Sequence, residues 1–451
     1  MGYASAGIAS HRLPADDYAK NFSDLTPPFT PHEAVVAADR CYFCFDAPCV
    51  QACPTHIDIP LFIRQITTGN ADGAAETILD ANIMGGMCAR VCPVEQLCEE
   101  ACVREHAEGK PVRIGSLQRY ATDALMAKDQ GQPFGRQPAT GRRVAVVGAG
   151  PAGLSCAHRL AMLGHDVTIF DAKPKPGGLN EYGIATYKTT NDFAQREVDF
   201  ILSIGGITIR HDMALRRDVT LAQLQADHDA VFLGLGLAGF NSLSGFPPFA
   251  EVTDAVPFIE ALRQAPDKAA VPVGRKVVVI GGGMTAVDAA VQAKKLGAEE
   301  VTIAYRRGPE HMKASAFEQD LAKTSGVTIR HWVTPTGFEG REGRLVAASF
   351  THAPPGLNGS AEPLSIPADM VLAAIGQTFD GDPLDGAMTL SGGRILVDAE
   401  RRTSVPGLWA GGDCVFGGQD LTVAAVEDGK QAALSIDRAL RDAQPSSQAA
   451  E

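Results

Sequence analysis

The sequence predicts an α/β protein in which a small all-helical amino-terminal domain precedes two Rossmann-like nucleotide-binding domains, the second inserted in the first. Three observations carry that expectation. Eight cysteines crowd between Cys41 and Cys102, and two glycine turns, beginning at Gly148 and Gly281, each lie between a short apolar strand and a helix. A chain of 451 residues exceeds the roughly 250–300 at which a single core stops growing, so more than one domain is required.

Composition narrows the possibilities. Hydrophobic residues make up 45% and charged residues 21%, an ordinary globular balance, and the net charge of −13 argues against a general nucleic-acid or anionic-membrane surface. No apolar stretch approaches the roughly 20 residues that span a bilayer, and residues 1–24 lack the charged-then-apolar pattern of a signal peptide. A cytoplasmic location is expected. In that reducing compartment, clustered cysteines favour metal binding over disulfides.

Residues 1–30, leading into Pro27-Pro28-Phe29-Thr30-Pro31, read as an extended arm lying on another surface. The helix-like runs Pro60–Ile66 and Gly73–Leu79 belong to a helical domain over residues 1–128, and the glycine- and proline-rich stretch 129–141 reads as a linker. The first nucleotide domain is expected over 129–250 and 372–451, and the inserted one over 251–371.

The first cysteine run is Cys41-x2-Cys44-x4-Cys49-x3-Cys53-Pro54 and the second is Cys88-x3-Cys92-Pro93-x4-Cys98-x3-Cys102. Iron–sulfur clusters need several thiolates converging on one cube, and close runs whose last cysteine precedes proline are a ferredoxin device. By count, eight thiols suit two four-thiolate clusters. Two tetrahedral zinc sites are the alternative, but only Cys41 and Cys44 have the paired C-x2-C spacing that zinc knuckles use. Cys88 stands one helical turn before Cys92, so it reads equally as a ligand or as a buried apolar thiol.

Gly148-Ala149-Gly150-Pro151-Ala152-Gly153 follows the strand Val144–Val147 and opens a helix over Leu154–Leu163. Its glycines serve a tight turn, close approach to a pyrophosphate and helix–strand packing, and Asp171, after a second strand Val167–Phe170, is placed to accept from a ribose. Gly281-Gly282-Gly283-Met284-Thr285-Ala286 repeats the turn after Val277–Ile280. Behind its second strand, Val301–Ala304, stands Tyr305-Arg306-Arg307 instead of a carboxylate, which suits a 2′-phosphate and favours NADPH over NADH. Two such folds suggest two dinucleotides. The terminal Gly412-Asp413, before a helix beginning near Thr422, marks the first as the FAD site, with Asp413 on the ribityl chain. Hydride transfer to flavin is the cofactor's own chemistry, so no general acid or base is assigned.

Together these residues resemble the pyridine-nucleotide-dependent, electron-input subunit of bacterial dihydropyrimidine dehydrogenase. The chain is similar also to the amino-terminal half of the animal enzyme and, more distantly, to the small subunit of glutamate synthase. Cys88-Ala89-Arg90-Val91-Cys92-Pro93 and Ile114-Gly115-Ser116-Leu117-Gln118-Arg119-Tyr120 favour the pyrimidine branch. The resemblance implies one [4Fe-4S] cluster on Cys41, Cys44, Cys49 and Cys102, and another on Cys53, Cys92, Cys98 and Gln118, with Cys88 outside both. It further implies that Lys313 joins Arg306 and Arg307 around the 2′-phosphate and that Ala374-Ile375-Gly376 contacts the nicotinamide nucleotide. Gly412, Asp413, Leu421 and Thr422 are implied to line the flavin, as are Gly178, Leu179 and Lys188. Asp171 replaces the family's glutamate, and Gly183-Ile184-Ala185-Thr186-Tyr187-Lys188 lacks its proline and carries lysine for arginine. No segment remains for the barrel that binds FMN and pyrimidine, so a partner subunit carrying FMN and iron–sulfur centres is expected to reduce uracil and thymine. A glutamate synthase-type donor to another acceptor and a zinc-stapled flavin diaphorase are the competing expectations.

Overall fold

The computed structural model describes residues 7–243, 245–355, 361–384 and 386–442, and its contacts divide the chain into two compact units. One, the cysteine-bearing unit, is built from residues 26–181, 191–239 and 378–451. The other, the inserted unit, combines residues 1–25, 182–190 and 240–377.

In the cysteine-bearing unit, several of the short helices begin at capping side chains. Thr30 and Glu33 form a capping box at the head of Pro31–Ala38. Asp58 and Asn70 accept from the Leu61 and Gly73 N–H groups at the heads of Ile59–Thr67 and Ala71–Ala81. Within Ile59–Thr67 the buried residues are Ile59, Phe62, Ile63 and Ile66, the i, i+3, i+4, i+7 spacing of one helix face. That face packs on the Ala71–Ala81 and Ile114–Met126 helices.

The same unit holds a five-stranded parallel sheet in the order Leu408–Ala410, Ala230–Leu233, Arg143–Val147, Asp166–Phe170, Ile207–Arg210. Val144 to Val147 are all buried, as the centre of a parallel sheet covered on both faces requires. Pro151–Met162 and Thr422–Asp442 pack against each other so closely that a Cβ on Gly429 would collide with the Ala152 carbonyl and lie 2.9 Å from the Cys156 nitrogen.

The inserted unit carries a second five-stranded parallel sheet, ordered Val252–Asp254, Met370–Ala374, Lys276–Gly281, Glu300–Ala304, Thr328–Arg330. A separate antiparallel sheet of Val333–Arg341, Arg344–His352 and Glu362–Pro367, not foreseen from the sequence, belongs to the same unit. Among the described residues no helix is long and apolar enough to cross a membrane.

Two expectations about organisation are corrected. Residues 1–128 do not form one domain, because residues 1–25 group with the inserted unit: Ala9 bridges Val273, and Asn21 donates to the Lys295 carbonyl at 2.9 Å. Nor is this arm extended throughout, since Ala15–Asn21 is a helix with Tyr18 buried. Residues 129–141 likewise do not separate two cores. Ile63, Ile78 and Leu117 share one hydrophobic cluster with Leu154, Ala157 and Val426, so helical part and flavin-type part are one body. Gln132 ties the connecting stretch down by donating to the Phe200 and Ile201 carbonyls.

Because the Gly429 contact sets the spacing of the two helices behind the glycine turn, Gly429→Ala is expected to cost about 1–3 kcal/mol, the usual range for overpacking. Urea denaturation should show a lower midpoint at unchanged slope; an unmoved midpoint would mean that the helices separate freely.

Candidate functional site

Cys53, Cys92 and Cys102 sit at helix ends, while Cys49 and Cys88 lie within short helices. Proline after Cys53 and Cys92 drives both residues into extended backbone (φ −84°, ψ 119° and φ −62°, ψ 135°), which ends Pro48–Ala52 and Gly85–Val91. Cys102 precedes Val103–Glu108 in the same conformation. Side chains thus turned away from their helices converge in two groups. Cys41, Cys44, Cys49 and Cys102 line one cavity with Ile59, Ile63, Val112 and Ile114. Cys53, Cys92, Cys98 and Gln118 line a second, together with Cys88 and Asn82. The resemblance had grouped the same residues, and Cys88, which it placed outside both sets, stands in the second cavity as well.

Each cavity opposes ionisation of two of its thiols. Burial raises Cys41, pushes Cys49 up to about 12 and holds Cys98 well above the usual thiol range, while Cys92 is raised by a hydrogen bond with Cys88 as well as by burial. Such thiols become ligands only when a cationic centre takes up their charge. Among the described residues no three His, Cys, Asp or Glu side chains gather around a single ion position.

Gln118 is buried, and its Nε2 donates to the Gly85 carbonyl at 2.7 Å, leaving the carboxamide oxygen for the cavity. Asn82, also on this wall, has a buried Nδ2 with no acceptor among the described residues. An unmade bond of this kind costs about 1–3 kcal/mol, so the site is chemically incomplete without an electron-rich group.

The same unit builds a dinucleotide cradle. Gly150 heads Pro151–Met162 with no side-chain cap, leaving the first helical N–H groups for an anion. Gly148 has φ +99°, and a Cβ there would strike the Gly234 carbonyl, so only glycine makes this turn. Gly178 packs so near Gly150 that an added Cβ would lie 2.8 Å from its Cα; Ala152 and Gly153 continue the helix, and Leu179 is partly exposed beside it. Asp171 is buried, with Oδ2 accepting the Ala149 N–H at 2.5 Å and Oδ1 the Lys173 N–H at 2.7 Å. Its short carboxylate therefore braces the turn while keeping lone pairs for a ribose.

On the far side, the Gly412 N–H donates to Asp428 at 2.9 Å, and Asp413 follows it. Leu421 leads into Thr422, the first residue of the last helix, whose hydroxyl donates to Asn180 at 2.8 Å. Asn180 is buried and its Nδ2 has no acceptor among the described residues, as suits a place beside a polar ring edge. Asn180 and Asp428 were missed in the sequence. An asparagine directly after Gly177-Gly178-Leu179 was the available signal for the first.

The inserted unit repeats the cradle. Gly281 abuts the Ala374 carbonyl, Gly282 lies against the Tyr305 ring, and a Cβ on Gly283 would meet nothing within 4 Å, so the space before the uncapped Met284–Lys295 helix and its first residues, Met284 and Thr285, is open. Ile375 and Gly376 (φ +104°) follow the strand that ends at Ala374. Arg306, Arg307 and Lys313 are all exposed, and their side chains make no ion pair among the described residues. Lys188 stands differently from the expectation of a flavin contact. It belongs to the inserted unit, where its ammonium lies 2.7 Å from both Asp288 and Glu318, so its charge is already committed.

Comparison with known proteins agrees with this geometry. Residues 18–130 match the family described as dihydropyrimidine dehydrogenase domain II, 4Fe-4S cluster, and residues 142–429 match the pyridine nucleotide-disulphide oxidoreductase family. The chain is 36% identical over 434 residues to the NAD-dependent dihydropyrimidine dehydrogenase subunit PreT homolog of Salmonella typhi, covering 96% of this chain and 99% of that one. It is 33% identical over 444 residues to the NADPH glutamate synthase small chain of Escherichia coli K12, covering 92% and 93%. Among solved structures, Mycobacterium tuberculosis FprA in complex with NADPH matches with TM-score 0.55 and 17% identity over 68% of this chain and 86% of that one, a likeness of fold alone.

Burial, followed by the nearby Asp420, pushes Asp413 up to about 7. Since this folded value lies above the ordinary carboxylate range, the residue's contribution is most favourable in acid and is lost as pH rises through about 7. Flavin-free Asp413→Asn protein should therefore lose less thermal stability than wild type between pH 5 and pH 8. Parallel melting curves would exclude a buried, ionising Asp413.

Proposed function

The chain belongs to the pyridine nucleotide-disulphide oxidoreductase family, in the group containing the NAD-dependent dihydropyrimidine dehydrogenase subunits, and from that premise we propose that it oxidises NADH or NADPH and feeds a partner subunit that reduces uracil and thymine to 5,6-dihydropyrimidines. It is a flavin and iron–sulfur oxidoreductase using FAD, [4Fe-4S] clusters and a nicotinamide nucleotide. The partner, in this reading, carries FMN and further iron–sulfur centres.

One observation carries the proposal. Val423, the second residue of the helix that begins at Thr422 beside the flavin cradle, also lines the second cysteine cavity. A single helix turn thus borders both places.

FAD supplies the change from two-electron hydride to single electrons, and iron–sulfur clusters supply one-electron carriage. The protein's own residues supply placement. Cys41, Cys44, Cys49 and Cys102 would hold one cluster; Cys53, Cys92, Cys98 and Gln118 would hold the other, with Cys88 a neighbouring thiol. Gly148, Gly150 and the uncapped N–H groups after them receive the flavin pyrophosphate, Asp171 its ribose, and Asp413 with Thr422 the remainder. Gly281 to Thr285 receive the nicotinamide nucleotide, with Arg306, Arg307 and Lys313 open to a 2′-phosphate. The first cavity is lined by Tyr42, which is 53% exposed, and Phe45, next to its Cys44, is 99% exposed; there the acceptor would meet the chain. The glutamate synthase relative supports a second reading in which the acceptor differs.

Steady-state oxidation of NADH and NADPH, with and without a candidate FMN subunit and uracil, separates these readings. The chain alone should reduce an artificial acceptor, and dihydrouracil should form only when the FMN subunit is added. Dihydrouracil formed without it would overturn the proposal.

Arg306→Ala with Arg307→Ala should raise KM for NADPH by about 10-fold or more, since a charge-assisted hydrogen bond contributes about 1.5–3 kcal/mol, while KM for NADH stays nearly constant. Equal changes for both nucleotides would reject the phosphate role.

A further inference from the structure

Asn82 ends the Ala71–Ala81 helix and is 0% exposed although its side chain is polar. Three bonds lock it. Its N–H donates to the Ile78 carbonyl at 2.8 Å, its carbonyl accepts from the Gly85 N–H at 2.9 Å, and its Oδ1 accepts from the Met84 N–H at 3.1 Å. Because a backbone N–H needs an acceptor, the Met84 bond dictates which end of the carboxamide is oxygen. Nδ2 must then point the other way. It finds no acceptor among the described residues, and Asn82 lines the cavity shared by Cys53, Cys92, Cys98 and Gln118. Gly85, held by Asn82, also accepts from Gln118 Nε2 at 2.7 Å, so the two carboxamides on this wall are tied through one residue.

Buried amide donors are normally satisfied. The atoms this cavity gathers are sulfurs, and a neutral thiol accepts weakly, whereas cluster-bound sulfur is electron-rich. Hydrogen bonds to cluster sulfurs are among the features that set reduction potentials. One electron added to a cluster makes its sulfurs better acceptors, so a fixed N–H favours the reduced form; no proton moves.

We propose that Asn82 donates an Nδ2–H···S hydrogen bond to the cluster of the second cavity and raises its reduction potential. This rests on the reading of that cavity as a cluster site.

The test uses the full chain, purified anaerobically with flavin and iron in place, in redox titrations followed by electron paramagnetic resonance. Asn82→Asp keeps an oxygen for the Met84 N–H but loses the donor; Asn82→Ala loses both without adding charge. Each variant should disfavour the reduced second cluster by about tenfold, which is 59 mV for one electron, and leave the first cluster unmoved. Where Asn82→Ala fails to fold, wild-type protein exchanged into deuterium oxide should show an exchangeable-deuteron coupling at the reduced second cluster that Asn82→Asp lacks. Potentials unmoved at equal iron content, or a coupling retained in Asn82→Asp, would overturn the inference alone. A wild-type chain without a second cluster signal would overturn the cluster reading and this inference with it.

Discussion

A thiol buried among aliphatic side chains resists losing its proton, and the amino-terminal third of this protein gathers eight sulfurs, of which Cys41, Cys49, Cys92 and Cys98 are held above the usual thiol range. That conflict organises the region. The helices there are short, from the five residues of Pro48–Ala52 to the 13 of Ile114–Met126, and helices of this length are marginal on their own. They persist because their apolar faces join the core beneath the first nucleotide cradle, and because a metal centre would resolve the charge that burial denies. The Cys-Pro pairs convert a local backbone preference into convergence, turning side chains inward where the helices stop.

The two nucleotide cradles show one device used twice with different second halves. Both place a glycine turn after a strand with four consecutive buried residues and leave the following helix uncapped, so backbone N–H groups face the place of a pyrophosphate. Asp171 then closes the first cradle with a carboxylate bonded to the turn itself, while the second ends in exposed arginines. An acceptor-rich end suits a ribose, and a cationic end suits a phosphate.

Much of this was legible in the sequence where the determining chemistry is local. The strand at Val144 and the turn after it follow from neighbours a few residues apart, whereas the grouping of Cys102 with Cys41 and of Cys53 with Cys92 spans dozens of residues and came only from the family resemblance. What the sequence hid depends on remote partners. Residues 7–25 pack on a unit that resumes at residue 182 and again at 240, and nothing in their polar composition names that surface. Lys188 gave no sign of its carboxylate partners, Asp288 and Glu318, which lie a hundred residues or more away. Glu197 looks like a solvated helix residue, yet it is 1% exposed and accepts the Met87 N–H at 2.8 Å, capping a helix headed by Met84, which offers no capping side chain. Asn82 was equally silent, since its meaning comes from what its oxygen already holds.

The central claim is that these thiols gather iron and sulfide together. Elemental and acid-labile sulfide analysis of the anaerobically purified chain measures it directly: roughly eight irons and eight sulfides per chain are expected from two four-iron clusters. Zinc in their place, with no labile sulfide, would contradict the account.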